Sequence, residues 1–150
     1  SDDAVEFLIR RLVKGAAVVT PNLPEAELLT GRRIRTLAEM DSAIDALLDL
    51  AADAVLLKGG HVEGDQITDL LITKDSIERF ESTRLITKST HGTGCTLASA
   101  IAASLAQGQG LSSAVKRARA FVLEAIRTAP EYGHGHGPLN HVHAIARNRE

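Results

Sequence analysis

Two short apolar runs, each halted by proline or glycine and each set among helix-period segments, constrain the fold of this chain more than any other feature. Ala16-Ala17-Val18-Val19-Thr20 stops at Pro21, and Ala54-Val55-Leu56-Leu57 stops at Lys58-Gly59-Gly60. Continuous apolar runs this short, bounded by turn residues, fit strands buried on both faces. Val5, Leu8, Ile9, Leu12 and Val13 recur at the spacing of one apolar helical face, with Asp2 or Asp3 as its cap. Pro24 suits the first turn of a helix through Leu29 that Gly31 ends, and Met40, Ile44, Leu47, Leu48 and Ala51 repeat the helical stripe. Strand and helix therefore alternate. That order predicts an α/β sandwich with a mainly parallel sheet, ligands binding at the strands' carboxyl ends, and Asn22, Lys58 and Gly92 on one rim.

From Ile67 to Thr87 the helical period vanishes. Ile67 to Ile72, Ile77 to Phe80 and Arg84 to Thr87 read as shorter antiparallel strands at a sheet edge, with a turn near Lys74-Asp75. Helices then return: an alanine-rich one after Gly94, interrupted near Gly108-Gln109-Gly110, and a long one through Val115, Ala118, Val122, Ala125 and Ile126 that stops at Pro130. Tyr132 to Asn140 reads as irregular, and His141 to Arg147 as a terminal helical turn.

At 150 residues and 44% apolar content, one domain with one core is expected. The 17 basic and 19 acidic residues form no long single-sign run, which argues against nucleic acid or a membrane surface as partner and favours small molecules. One cysteine forms no internal disulfide, no apolar stretch reaches the ~18 residues of a membrane span, and no signal-peptide pattern opens the chain, so a cytoplasmic protein is expected. Ser1 opens the chain and its only methionine is Met40, from which a removed upstream segment is expected.

The chemistry concentrates in Ser89-Thr90-His91-Gly92-Thr93-Gly94-Cys95-Thr96, directly before the small apolar stretch Leu97 to Leu105. A Gly-Thr-Gly turn opening a helix presents unpaired backbone N–H groups where the helix dipole is positive, which suits a phosphate; a tight corner is the plainer alternative. The run is neither a Walker A loop nor a dinucleotide G-x-G-x-x-G. Cys95 is either a small buried hydrophobe or, on the first helical turn, a thiol whose pKa falls below its free value of about 8.5 and serves as base or nucleophile. On pattern alone Asn22 and Glu25 form a helix cap; the functional alternative has them hold water around Mg²⁺. Lys58 either snorkels from the core or places a point charge on a nucleotide phosphate. His134, His136, His141 and His143 lack acidic or cysteine neighbours at metal-site spacing, so no direct metal ligand is assigned.

Val19 to Glu27, Leu56 to His61, Ser89 to Thr96 and Gly133 to His141 together resemble, in order and spacing, the hydroxymethylpyrimidine phosphate kinases of thiamin biosynthesis, in the ribokinase superfamily. The likeness runs from about Ala16 to His141 and implies a ribokinase-like three-layer sandwich. It further implies ATP- and Mg²⁺-dependent phosphorylation of the pyrimidine phosphate to its diphosphate, with the free alcohol also accepted. Cys95 would be the catalytic base, Gly92, Thr93 and Gly94 the anion hole, Lys58 a nucleotide contact, and Asn22 and Glu25 the magnesium network. Related pyridoxal and sugar kinases carry aspartate where Cys95 stands. The family's long amino-terminal portion, with most of the pyrimidine pocket, has no counterpart in residues 1 to 150. The chain is thus expected to be the carboxyl-terminal part of a single domain, impaired alone, with a bared strand edge and apolar face that drive dimerisation, strand exchange or aggregation; the resemblance separately implies a homodimer. A noncatalytic nucleotide- or pyrimidine-binding module and a pyridoxal-type kinase are the alternatives.

Overall fold

The computed structural model describes residues 2–130, 132 and 134–146 and divides into two compact units, Ser1–Arg84 and Leu85–Glu150. Ser1, Gly133 and Arg147, which entered the sequence reading, lie outside the described residues.

The first unit opens with α1 (Asp2–Leu8), which runs on as one π-helical turn, Ile9–Val13. The expected apolar face is only partly used: Val13 is buried and Ile9 packs on the core, while Leu8 and Leu12 stay exposed. Next come α2 (Leu23–Thr30), α3 (Leu37–Ser42) and α4 (Ile44–Leu48). Pro24 stands in the first turn of α2, and Gly31, at φ 67°, closes it. The stripe beginning at Met40 is split at Ala43 into α3 and α4, and Ala51 takes a left-handed φ of 57° beyond the second.

The sheet departs from expectation. β1 (Ala54–Leu57), β2 (Gln66–Thr73) and β3 (Ile77–Thr83) form an antiparallel sheet in that order, where the sequence predicts a mainly parallel one. Among the described residues of this unit, parallel pairing is confined to the segment through Val19 and Asn22, bridged to Val55 and Lys58. Val19 N–H donates to Ala54 O, Leu56 N–H to Val19 O, and Lys58 N–H to Pro21 O. Pro21 has no N–H to return, so the ladder breaks into isolated bridges instead of a fourth strand. At the other side, Thr73 Oγ1 accepts from the Asp75 and Ser76 amides, which closes the tight turn expected near Lys74 and makes β2 and β3 a hairpin. Arg84 to Thr87 forms no strand. β1 is buried throughout, and Leu57, Leu70 and Ile72 share one core with Ala26, Ile34, Met40 and Leu47.

The second unit is helical: α5 (Thr93–Ala106), α6 (Leu111–Arg127) and α7 (His143–Ala146). Leu97 and Ile101 of α5, and Ala114, Val115, Ala118 and Ala125 of α6, are buried, and small residues on α6 allow the two helices close approach.

Candidate functional site

In the first unit, Asn22 and Glu25 form a reciprocal cap: Asn22 Oδ1 accepts from the Glu25 amide at 2.8 Å, and Glu25 Oε2 from the Asn22 amide at 2.7 Å. This satisfies two orphan donors of α2 and keeps a carboxylate at its positive end. Lys58 is the bridge partner of Asn22, so the three residues gather where the parallel segment and β1 both end. The Lys58 ammonium makes no ion pair among the described residues.

The turn after Lys58 is held from two directions. The Gly59 amide donates at 2.9 Å to Oδ1 of Asp69, a carboxylate only 7% exposed on β2. Arg84 gathers the loop beyond by donating to the carbonyls of Gly60, Val62 and Gly64. Neither residue stood out in the sequence. An acid inside an apolar run was the available signal for Asp69, whereas Arg84's role depends on carbonyl positions that no pattern encodes.

In the second unit, Gly92 caps α5 in the left-handed region at φ 83°, and a Cβ there would meet nothing within 4 Å, so the corner is open. The helical ladder starts where the Thr96 amide donates to Gly92 O at 2.9 Å. Thr93 N–H leans on Thr90 O at 3.4 Å, and the amides of Gly92, Gly94 and Cys95 have no acceptor among the described residues. Cys95, on this first turn, is exposed. A groove of about 500 Å³ runs from Cys95 and Thr96 past Ser99 and Ala103 toward Arg117 and Phe121. Free amides and positive helix potential suit an anionic ligand, and an accessible sulfur stands beside them at one end of the groove.

A model of phosphomethylpyrimidine kinases matches residues 1–140. The chain belongs to the phosphomethylpyrimidine kinase family. It is 48% identical over 144 residues to the hydroxymethylpyrimidine/phosphomethylpyrimidine kinase of Rhizobium meliloti, covering 94% of this chain and 54% of that protein. It is 49% identical over 147 residues to the thiamine biosynthesis bifunctional protein ThiED of Geobacter sulfurreducens, covering 98% of this chain and 30% of that protein. Among solved structures, Staphylococcus aureus pyridoxal kinase in complex with AMP-PCP and pyridoxal superposes with a TM-score of 0.89 at 33% identity, covering 99% of this chain and 55% of that one. The chain thus spans about half the length of its kinase relatives, or less. These structural neighbours share the ribokinase-like fold.

Among the described residues of this kinase-family chain, no group of three His, Cys, Asp or Glu side chains is placed to hold a metal, and no helix is long and apolar enough to cross a membrane.

Proposed function

We propose that this chain is the carboxyl-terminal part of a single ribokinase-like domain, carrying the phosphoryl-transfer side of a kinase of thiamin biosynthesis. The enzyme uses ATP to convert hydroxymethylpyrimidine phosphate to its diphosphate and also phosphorylates the free alcohol. The observation that carries this reading is the open amide turn at the start of α5 with exposed Cys95 on its first turn. Phosphoryl transfer depends on positioning and on charge stabilisation more than on covalent help. The Gly92, Gly94 and Cys95 amides hold the moving phosphoryl group, Thr93 shapes the turn, and Cys95 Sγ takes the acceptor hydroxyl's proton. Lys58 contributes a point charge to the nucleotide phosphates.

The donor set near Asn22 fits Mg²⁺ only through water. Asn22 Oδ1 and Glu25 Oε2 are engaged in the cap, which leaves the other Glu25 carboxylate oxygen to hold a coordinated water. Magnesium, when bound, neutralises charge on the ATP phosphates. In the complete protein the parallel pairing of the Val19–Asn22 segment with β1 continues into the mainly parallel sheet of a three-layer sandwich. The enzyme works in the cytoplasm as a homodimer, with β3, the outer strand of this sheet and exposed at Ile77, as an edge available for pairing.

A pyridoxal-type kinase is the second reading, favoured by the likeness to the Staphylococcus aureus enzyme. Turnover of the complete protein with ATP and, separately, the pyrimidine monophosphate, pyridoxal and ribose decides between them. Pyrimidine turnover is expected; turnover of pyridoxal alone moves the assignment to the second reading, and turnover of none removes both.

A further inference from the structure

The glycine- and histidine-rich segment before α7, which sequence reading left irregular and without a role, is tied at both ends within the second unit. Toward α6, the Asn140 amide donates to Ala125 O at 3.0 Å and Asn140 Nδ2 donates to Thr128 Oγ1 at 3.1 Å. His143 Nε2 lies 3.1 Å from Phe121 O, with its ring 4.5 Å from the Phe121 ring. Toward the turn that opens α5, the Gly137 amide donates to Lys88 O, the His91 amide donates to Gly137 O, and His91 bridges to Pro138. Gly137 is needed for this approach: a Cβ would sit 2.9 Å from Oγ of Ser89, itself 2% exposed.

Two histidine contacts complete the attachment. His136 Nδ1 lies 3.2 Å from Thr90 Oγ1, and His141 Nε2 lies 3.0 Å from Thr96 Oγ1. Thr96 Oγ1 donates its one proton to Gly92 O at 2.8 Å, so His141 must carry hydrogen on Nε2 and donate it to the hydroxyl. The relay His141–Thr96–Gly92 therefore ends on the carbonyl that also receives the first amide of the α5 ladder. It fixes the peptide that turns the chain into the helix, and with it the direction of the free amides beyond.

We infer that segment 136–143 is a brace for the phosphate turn, with His141 and His136 as positioning residues for phosphoryl transfer. This rests on the kinase reading above. A brace acts on donors whose alignment counts most in the transition state, so its loss lowers kcat more than it raises the KM for ATP. The test compares His141→Leu with His141→Gln, whose amide nitrogen can take the place of Nε2, in the complete protein. His141→Leu is expected to lose at least about tenfold in kcat with the KM for ATP changed by less than about threefold, and His141→Gln to recover most of the loss. Combining Thr96→Val with His141→Leu should add nothing beyond the worse single variant, as for two links of one relay.

Amide hydrogen exchange gives a readout independent of turnover: exchange at Thr96 and His91 should quicken in His141→Leu and return toward wild type in His141→Gln. Unchanged kcat and exchange in His141→Leu, or equal losses in Leu and Gln variants, would overturn the brace. A wild-type protein without kinase activity would remove the kinase reading, and the exchange comparison would still decide whether His141 orders the turn.

Discussion

Gly59→Ala should destabilise the protein while its neighbour Gly60→Ala does not, because the two glycines face different surroundings. A Cβ on Gly59 would sit 1.9 Å from the carbonyl oxygen of Thr68 and 3.3 Å from Met40 Cε. Thr68 belongs to β2, the middle strand, where it is buried and paired with Glu81 of β3, so the obstacle is backbone that must withdraw by about 1 Å. That withdrawal also strains the Gly59 amide bond to Asp69. Overpacking costs ~1–3 kcal/mol and occasionally more, and the hydrogen-bonded backbone of a buried strand as the obstacle puts Gly59→Ala at the upper end, about 3 kcal/mol. For a chain of this size that is a fall of about 6–12 °C in Tm. A Cβ on Gly60 meets nothing within 4 Å, so its variant should stay within about 0.5 kcal/mol of wild type. Thermal melts followed by far-ultraviolet circular dichroism, with both variants in one buffer, measure the difference. Equal midpoints for the two would refute the packing of the Lys58 turn against β2.

Gly92→Ala meets no steric obstacle, so only its left-handed backbone should count, at about 1–2 kcal/mol in urea melts, with Gly92→Asn losing less. Asn22→Ala removes the α2 cap and should cost about 1 kcal/mol by the same measurement. The Glu39 carboxyl is held below its ordinary pKa, chiefly by the Arg35 amide and with help from Thr36, against an opposing desolvation effect. A lowered folded pKa means stability that is present above the unfolded pKa and lost as pH falls through the folded one. Urea melts of Glu39→Gln and wild type should therefore differ at pH 6 and converge toward pH 3; a constant difference would show that the charge plays no part.

Features set by local chemistry were legible in the sequence: the Pro24 start and Gly31 stop of α2, the buried run of β1, the β2–β3 turn, and the Gly108 break between α5 and α6. Those that depend on distant partners were not. Nothing local shows that Pro21 leaves a gap in the parallel ladder, that Ala43 divides a continuous stripe, or that Arg84 leaves its expected strand to collect carbonyls from Gly60 to Gly64. The geometry of the turn that opens α5 was legible in the same way. The turn at Gly92, with Cys95 just inside the helix, follows from glycine's access to positive φ, while the histidines that hold this turn lie some 45 residues away along the chain.

The rate of phosphoryl transfer to the pyrimidine phosphate by Cys95→Ala, in the complete protein, tests the central claim most directly. Loss of the proton acceptor beside an intact amide turn should slow transfer by about 10²-fold or more while ATP affinity stays within about twofold. Transfer at the wild-type rate would contradict the account and return Cys95 to a packing role.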